Sequence, residues 1–213
     1  MSARWLLPLA VIALFVAAAC ESDNGDSQDF LQFADQIARA VEDGDIAFFA
    51  ERVEGNTHVC TAEEVEGSTG PDAPRGAICV EVGQEFEGIP ISNFGTLGNV
   101  HTPEVFIQDI EGFFDAALPE AEDDEYGVGG VRLFATAIPL RPGTDEELGL
   151  RTAILTSLQD FEGRDARYVR AIDFEIVGER WVIRSELTGS FPVAVDLLSA
   201  SSAVAIYAEW TAY

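Results

Sequence analysis

The chain has 213 residues with a formal net charge of -26 at pH 7, from 38 Asp and Glu against 12 basic residues that are all Arg. This length suffices for one domain with a substantial core, and a hydrophobic content of 47% excludes disorder over most of it. Nucleic acid is excluded as a partner because phosphate binding requires clustered cations. Two interpretations of the lysine-free, acidic composition stay open, a GC-rich genome and adaptation to salt.

The N-terminal segment has the pattern of an export signal. Arg4 precedes an apolar run, Trp5–Ala19, of about 15 residues, which is short of the ~20 needed to span a bilayer as a helix. The run ends in alanines and Cys20, and polar, acidic residues follow. This arrangement resembles a bacterial lipoprotein signal peptide, whose cysteine becomes the acylated first residue of the mature protein. Ala17 stands where that family usually has Leu, and it also suits ordinary signal peptidase, so plain secretion and an uncleaved anchor remain alternatives.

The lipoprotein resemblance implies a location and a domain organisation. We expect a signal peptide at residues 1–19, a lipidated cysteine with a flexible tether at residues 20–28, and a single domain at residues 29–213. The protein is then exported and held at the outer face of a bacterial membrane. The lipid is the expected membrane contact because the acidic side chains repel anionic headgroups.

The three cysteines divide naturally between two roles. An odd cysteine in an exported protein is a reactive liability, and lipidation of Cys20 leaves Cys60 and Cys79 as a pair. In an oxidising compartment we expect these two to form a disulfide. The alternative is a metal site that uses His58, Cys60 and Cys79, although Cys-x-x-Cys and paired-His spacings are lacking.

Three helices are predicted before the main run of strands. Apolar residues recur at helical spacing over Phe30–Val41, and Gly44 provides the stop. A short second helix and a third helix follow, the latter with Pro at its first position. The predicted N-caps are Asp26 or Ser27, Asp45, and Thr102.

Strands are predicted on both sides of the third helix. Two short strand-like runs, Thr57–Thr61 and Ala77–Val82, flank a turn-rich loop. After the third helix the hydrophobic period becomes two, which predicts four strands at Val131–Ile138, Leu150–Leu158, Ala166–Val177 and Arg180–Leu187. Gly178 and Glu179 fit a two-residue hairpin turn between the last two. The apolar segment Val193–Tyr213 is interpreted as a helix and an edge strand, or as an oligomer interface.

This element order is α+β and resembles the NTF2-like (cystatin-related) cone. The local pattern Ala40–Phe49 is similar to that superfamily's opening, in which a Gly-Asp pair, here Gly44 and Asp45, divides the first helix from the second. The resemblance implies three N-terminal helices packed on a curved antiparallel sheet of about four to six strands, with a pocket between them. The chain departs from the family in a longer Thr57–Asn99 region and an additional C-terminal tail. The superfamily contains enzymes and silent binding domains, so the fold does not give the function.

The candidate pocket consists of Tyr168, Arg170 and Trp181. The alternation of the third strand places Tyr168 and Arg170 on its inward face, and Trp181 joins them from the next strand. Arg170 could then clamp an anionic or carbonyl-bearing ligand. In the alternative interpretation, Arg170 lies at a strand end or extends its guanidinium to solvent and pairs there with one of the many carboxylates.

Other polar residues predict no catalytic or metal site. The acidic run Glu120–Glu125 lacks the spacing of an EF-hand loop and is expected to be solvated. Neither His58 nor His101 has the context of a catalytic triad, and no cofactor motif is found. The leading hypothesis is a non-enzymatic, lipid-anchored extracytoplasmic domain that binds a small ligand or an envelope protein. A small acid/base enzyme of the lyase or isomerase type and a structural or oligomerisation module are the alternatives.

Overall fold

The computed structural model describes residues 23–69, 78–93, 96–118, 122–123, 127–128, 130–140, 146–189 and 207–212. These residues contain four helices: α1 (Asp23–Asp43), α2 (Ile46–Ala50), α3 (Ala62–Thr69) and α4 (Pro103–Asp115). They also contain ten strands: β1 (Asn56–Val59), β2 (Glu85–Asn93), β3 (Thr96–His101), β4 (Glu122–Asp123), β5 (Gly127–Val128), β6 (Val131–Pro139), β7 (Arg151–Phe161), β8 (Arg164–Val177), β9 (Arg180–Gly189) and β10 (Tyr207–Ala212). The predicted signal peptide at residues 1–19 and Cys20 lie outside the described residues.

One curved, open sheet dominates this mixed α+β fold. Seven strands lie in the order β1-β2-β9-β8-β7-β6-β10, and an eighth, β3, pairs with β2. The strands β4 and β5 form a separate pair. The expectation of about four to six antiparallel strands is therefore wrong in number, and the β2–β9 pair is parallel. The strand β2 escapes the sequence pattern because Gly88 and Pro90 interrupt its apolar alternation.

The helices differ from the expected set of three N-terminal ones, because α4 follows three strands and α3 is additional. Asp45 caps α2 by accepting a hydrogen bond from the Phe48 backbone N–H at 3.1 Å. Thr102 caps α4 in the same way through the Val105 N–H at 3.4 Å. The predicted cap of α1 at Asp26 or Ser27 is wrong, since α1 begins at Asp23 and extends into the segment expected to be a tether.

The region before β2 also differs from the prediction. The strand β1 overlaps the first strand-like run but begins one residue earlier and ends two residues earlier, whereas residues 78–82 of the second run form no strand. Instead, α3 begins after Thr61 with a capping box: Thr61 Oγ1 accepts from the Glu64 N–H, and Glu64 Oε2 accepts from the Thr61 N–H at 2.7 Å. Cys60 and Cys79 form the expected disulfide, with their Cα atoms 5.4 Å apart.

All four strands predicted after the third helix are present as β6 to β9. Val177 pairs with Arg180 around the predicted two-residue turn, and Gly178 has the positive φ, 67°, that such a turn requires. The strand β10 pairs with β6 at the edge of the sheet, as expected for the end of the chain. The helix expected before β10 lies outside the described residues.

The main core lies between α1, α2, α4 and one face of the sheet. Large apolar side chains fill this space: Phe30, Phe33, Ile37, Phe49, Phe106, Ile110, Phe113, Leu155, Ile172, Phe174 and Ile183. A smaller cluster lies on the opposite face of β6, β7 and β8, formed by Ala135, Ala137, Ile154, Val169 and Ala171. Burial of these side chains is the main favourable contribution to folding.

Candidate ligand-binding groove

An open groove with a volume of about 520 Å³ lies between the N-terminal half of α1 and the β8–β9 hairpin. Two arginines, Arg52 and Arg180, line it together with two aromatic residues, Phe33 and Trp181. The remaining lining residues are mainly polar: Asp29, Gln32, Gln36, Ile176, Gly178 and Glu179. The groove therefore has two cationic and two acidic side chains beside two aromatic residues, of which Phe33 is only 5% exposed.

Local structure explains why these side chains meet. The residues that α1 contributes share one face of the helix, because Gln32 and Phe33 lie three and four positions after Asp29, and Gln36 lies four and three positions after them. On the other wall, Trp181 of β9 lies opposite Ile176 of β8 in the antiparallel register. The Trp181 ring packs against Phe33, with centroids 5.8 Å apart and planes at 16°. The aromatic wall is thus continuous with the hydrophobic core.

The side chain of Arg52 is held rigidly. Its guanidinium carbon lies 3.8 Å from the centroid of the Phe48 ring and 5.7 Å from that of Phe33. Its Nη1 donates a hydrogen bond to the Phe48 carbonyl oxygen at 2.7 Å. Burial lowers the pKa of Arg52; the nearby carboxylate of Glu51 opposes this shift, and the positive charge of Arg180 adds to it.

Arg180 is the more accessible of the two, with 52% of its side chain exposed. Its Nη1 donates to the Glu51 carbonyl oxygen at 3.1 Å, and its Nη2 pairs with Glu54. Because the Arg180 charge disfavours protonation of Arg52, the two guanidinium groups repel each other. An anion bound between them would relieve this repulsion. Carboxylate, sulfonate and phosphate groups match guanidinium geometry.

The structure does not bring Tyr168, Arg170 and Trp181 together in one pocket. Trp181 lines the groove, but Tyr168 and Arg170 do not. Arg170 lies six residues before Ile176, the partner of Trp181, which is a separation of about 20 Å along a strand. Tyr168 packs against the main core, and the Arg170 guanidinium lies 5.2 Å from the Phe113 ring centroid.

Arg170 pairs with a carboxylate, that of Glu186, as the alternative interpretation expected, but it does so in mid-strand and in a buried position rather than at the solvent surface. Its Nη1 lies 2.7 Å from Oε1 and 3.0 Å from Oε2 of Glu186, which is only 2% exposed. Burial raises the pKa of Glu186, Arg170 opposes that shift, and Asp109 and Asp173 add to it. Asp109 in turn lies 2.9 Å from Nδ1 of His101, at the junction of β3 and α4, at an ion-pair distance but without hydrogen-bond geometry. These groups tie α4 to the sheet.

A second polar cluster involves Asp173 of β8. Thr152 and Ser185, its partners on the two neighbouring strands, each donate a hydroxyl hydrogen bond to it at 2.6 Å. Burial raises the pKa of Asp173 to about 6, and the two hydrogen bonds oppose this shift. The pKa of this carboxyl group therefore lies well above the ordinary value of an aspartate.

The possible metal ligands near the disulfide are already engaged. His58 Nε2 lies 2.8 Å from Oε1 of Glu64, and with the Cys79 sulfur these atoms lie within 4.8 Å of one another. Both cysteine sulfurs belong to the disulfide, so neither is the thiolate that a metal site requires. Of the acidic run Glu120–Glu125, only Glu122 and Asp123 are described, as β4.

Comparison with known proteins gives no match to a family model, to a curated protein or to a solved structure. Among the described residues, no helix has the length and apolar character needed to cross a membrane.

Proposed function

We propose that the protein is a lipid-anchored extracytoplasmic domain that binds a small anionic ligand with an aromatic or apolar part. Export follows from the signal at residues 1–19, and acylation of Cys20 holds the domain at the membrane. The Cys60–Cys79 disulfide is compatible with an oxidising compartment. The ligand lies in the groove between α1 and the β8–β9 hairpin.

The presence of both Arg52 and Arg180 in the lining of this groove is the observation that carries this proposal. The chain has 12 basic residues against 38 acidic ones, yet two guanidinium groups line this one groove. The rings of Phe33 and Trp181 stand beside them. Such a combination binds an anion through the cations and a flat or apolar group through the rings.

We propose further that the domain has the NTF2-like cone. Support comes from the opening of the fold, where Gly44 has a positive φ of 65° between α1 and α2. Asp45 then caps α2, and Phe49 on α2 is fully buried in the main core. This is the arrangement that the resemblance of Ala40–Phe49 implies.

A fluorescent aromatic sulfonate, 1-anilinonaphthalene-8-sulfonate, tests the groove. The mature chain retains two tryptophans, Trp181 and Trp210, so the Trp210→Phe variant reports on Trp181 alone. We expect saturable quenching of Trp181 by the probe, with at least about tenfold weaker binding in Arg52→Gln because a charged hydrogen bond contributes about 1.5–3 kcal/mol. Arg39→Gln is the matched control, since Arg39 is exposed on α1 and does not line the groove. Equal weakening in both variants would reject the groove as the site.

The intact mass of the mature protein, isolated from bacterial membranes, tests the anchor. We expect a chain that begins at Cys20 and carries a diacylglycerol adduct. A chain without the adduct would reject lipidation while leaving the groove proposal to its own test.

A further inference from the structure

The tip of the β8–β9 hairpin carries two consecutive apolar residues that remain exposed. Ile176 and Val177 each have 42% of their surface accessible, directly before the turn at Gly178. Across the hairpin, Trp181 faces Ile176 and Arg180 faces Val177. We propose that this tip docks on the bilayer that carries the lipid anchor. The inference rests on the proposed anchoring and deepens it by assigning a second, non-covalent membrane contact.

The anchor and the tip are close in the fold. The helix α1 begins at Asp23, three residues after Cys20, and its residue Asp29 lines the same groove as the hairpin. Three extended residues reach about 10 Å and the six-residue step from Asp23 to Asp29 rises about 9 Å. The groove wall that faces the hairpin therefore lies within about 20 Å of the acylated cysteine.

The side chains of the tip suit the interfacial layer of a membrane. Aliphatic groups at a hairpin end enter the acyl boundary without exposing further backbone, because the turn already closes the strand pair. Tryptophan is enriched at this depth, where its ring is apolar and its N–H remains hydrated.

The negative charge of the protein determines which class of lipid the tip can approach. Asp29 and Glu179 flank the tip, and the whole chain carries a net charge of -26, so an anionic surface repels this face. A zwitterionic surface exerts no such net repulsion. The surface on which the hairpin tip docks is therefore that of a zwitterionic bilayer.

Attachment of the protein to the membrane through Cys20 allows even a small apolar tip to dock on the bilayer. A patch of two half-exposed aliphatic residues binds lipid weakly when the protein is free in solution. Attachment through Cys20 makes the contact intramolecular, and a short linker gives effective concentrations on the order of millimolar. We expect docking of the anchored protein and little binding of the protein without an anchor.

Cys20 allows an anchored form to be made chemically. It is the only one of the three cysteines outside the disulfide, so the mature chain can be coupled there to a maleimide lipid in phosphatidylcholine nanodiscs. With Trp210→Phe, Trp181 reports on membrane contact through quenching by phosphatidylcholine brominated near the top of its acyl chains. If the Trp210→Phe variant folds poorly, the Trp181→Phe variant, which retains Trp210, is used instead. The contribution of Trp181 is then the difference in quenching between the wild type and Trp181→Phe.

We expect Trp181 to be quenched in the anchored protein and this quenching to fall at least fivefold in Val177→Asp. Val80→Asp is the matched control, because Val80 is 67% exposed beside the disulfide, and it keeps the quenching. Replacing one third of the lipid with phosphatidylglycerol should weaken docking. Absence of quenching in the anchored protein, or equal quenching in Val177→Asp, overturns the proposal.

The same variants separate docking from ligand binding. Val177 does not line the groove, so Val177→Asp retains binding of the aromatic sulfonate in solution. If the wild-type protein binds the aromatic sulfonate but the lipid does not quench Trp181 in its anchored form, docking of the tip is rejected and the ligand groove is not. Lipid quenching without probe binding rejects the ligand groove and leaves the docked tip.

Discussion

Arg170 on β8 contacts both carboxylate oxygens of Glu186 on β9, at 2.7 and 3.0 Å, on the face of the sheet that α4 covers. This cation therefore neutralises a buried acid. Arg52 and Arg180 line the groove at the other end of the same strands. In our proposal the strongly acidic chain thus uses cations in two ways, for an internal ion pair and for binding an external anion.

Removing one member of the Arg170–Glu186 pair should be more costly than removing both. Glu186→Ala leaves a buried guanidinium without its partner, which typically costs about 3–5 kcal/mol of unfolding free energy. The double variant Arg170→Met, Glu186→Leu should cost less than either single truncation. Urea denaturation provides the measurement, and a loss below about 1 kcal/mol in Glu186→Ala would contradict a buried pair.

Asp173 should make the protein less stable as the pH rises. Its folded-state pKa is raised from 3.8 to about 6, so between these values the folded state binds more protons than the unfolded chain. Its contribution to stability is thus largest below pH 3.8 and falls as the pH rises through 6. Asp173→Asn should gain about 1–3 kcal/mol relative to the wild type between pH 4 and pH 7. A difference between Asp173→Asn and the wild type that stays constant from pH 4 to pH 7 would refute the shift.

The Cys60–Cys79 disulfide should stabilise the protein by limiting the unfolded chain. It closes a loop with a sequence separation of 19, for which loop-closure entropy gives about 3 kcal/mol. Cys60→Ala with Cys79→Ala should lose about this amount in chemical denaturation. Thiol titration of the unfolded, unreduced protein with Cys20 blocked should detect no thiols, and detection of two would disprove the bond.

Two glycines should respond oppositely to alanine. A Cβ at Gly88 on β2 would clash with Cγ1 of Val100 and lie 3.2 Å from the Cβ of His58, so Gly88→Ala should destabilise the sheet edge. A Cβ at Gly112 within α4 would meet nothing within 4 Å, and Gly112→Ala should stabilise the helix by about 0.5–1 kcal/mol. Thermal unfolding should therefore shift down for the first variant and up for the second. A rise for Gly88→Ala would contradict the close packing of β2 against β3.

Sequence periodicity predicted most of the sheet because β6 to β9 alternate regularly and are long. It missed β2, which contains Gly88 and Pro90, its neighbour β3, and α3, in which Val65 is the only large apolar residue. The capping box of Thr61 and Glu64 was a usable signal for α3. Local motifs of this kind mark a helix start even where the amphipathic pattern is weak.

The groove could not be predicted from the chain order. Arg52 follows α2 and Arg180 opens β9, and neither belongs to a recognisable motif. The sequence did place Trp181 correctly on the helix-facing side of the sheet. It could not show that Arg170 meets Glu186, since the shifted β8–β9 register between Asp173 and Phe174 decides which side chains meet.

Calorimetric titration with 1-anilinonaphthalene-8-sulfonate tests the central claim most directly. We expect one binding site per chain in the wild type, retained in Arg39→Gln and in the double variant Arg170→Met, Glu186→Leu, and lost in the double variant Arg52→Gln, Arg180→Gln. Unchanged affinity in that double variant, with its fold preserved by circular dichroism, would contradict the ligand-binding groove.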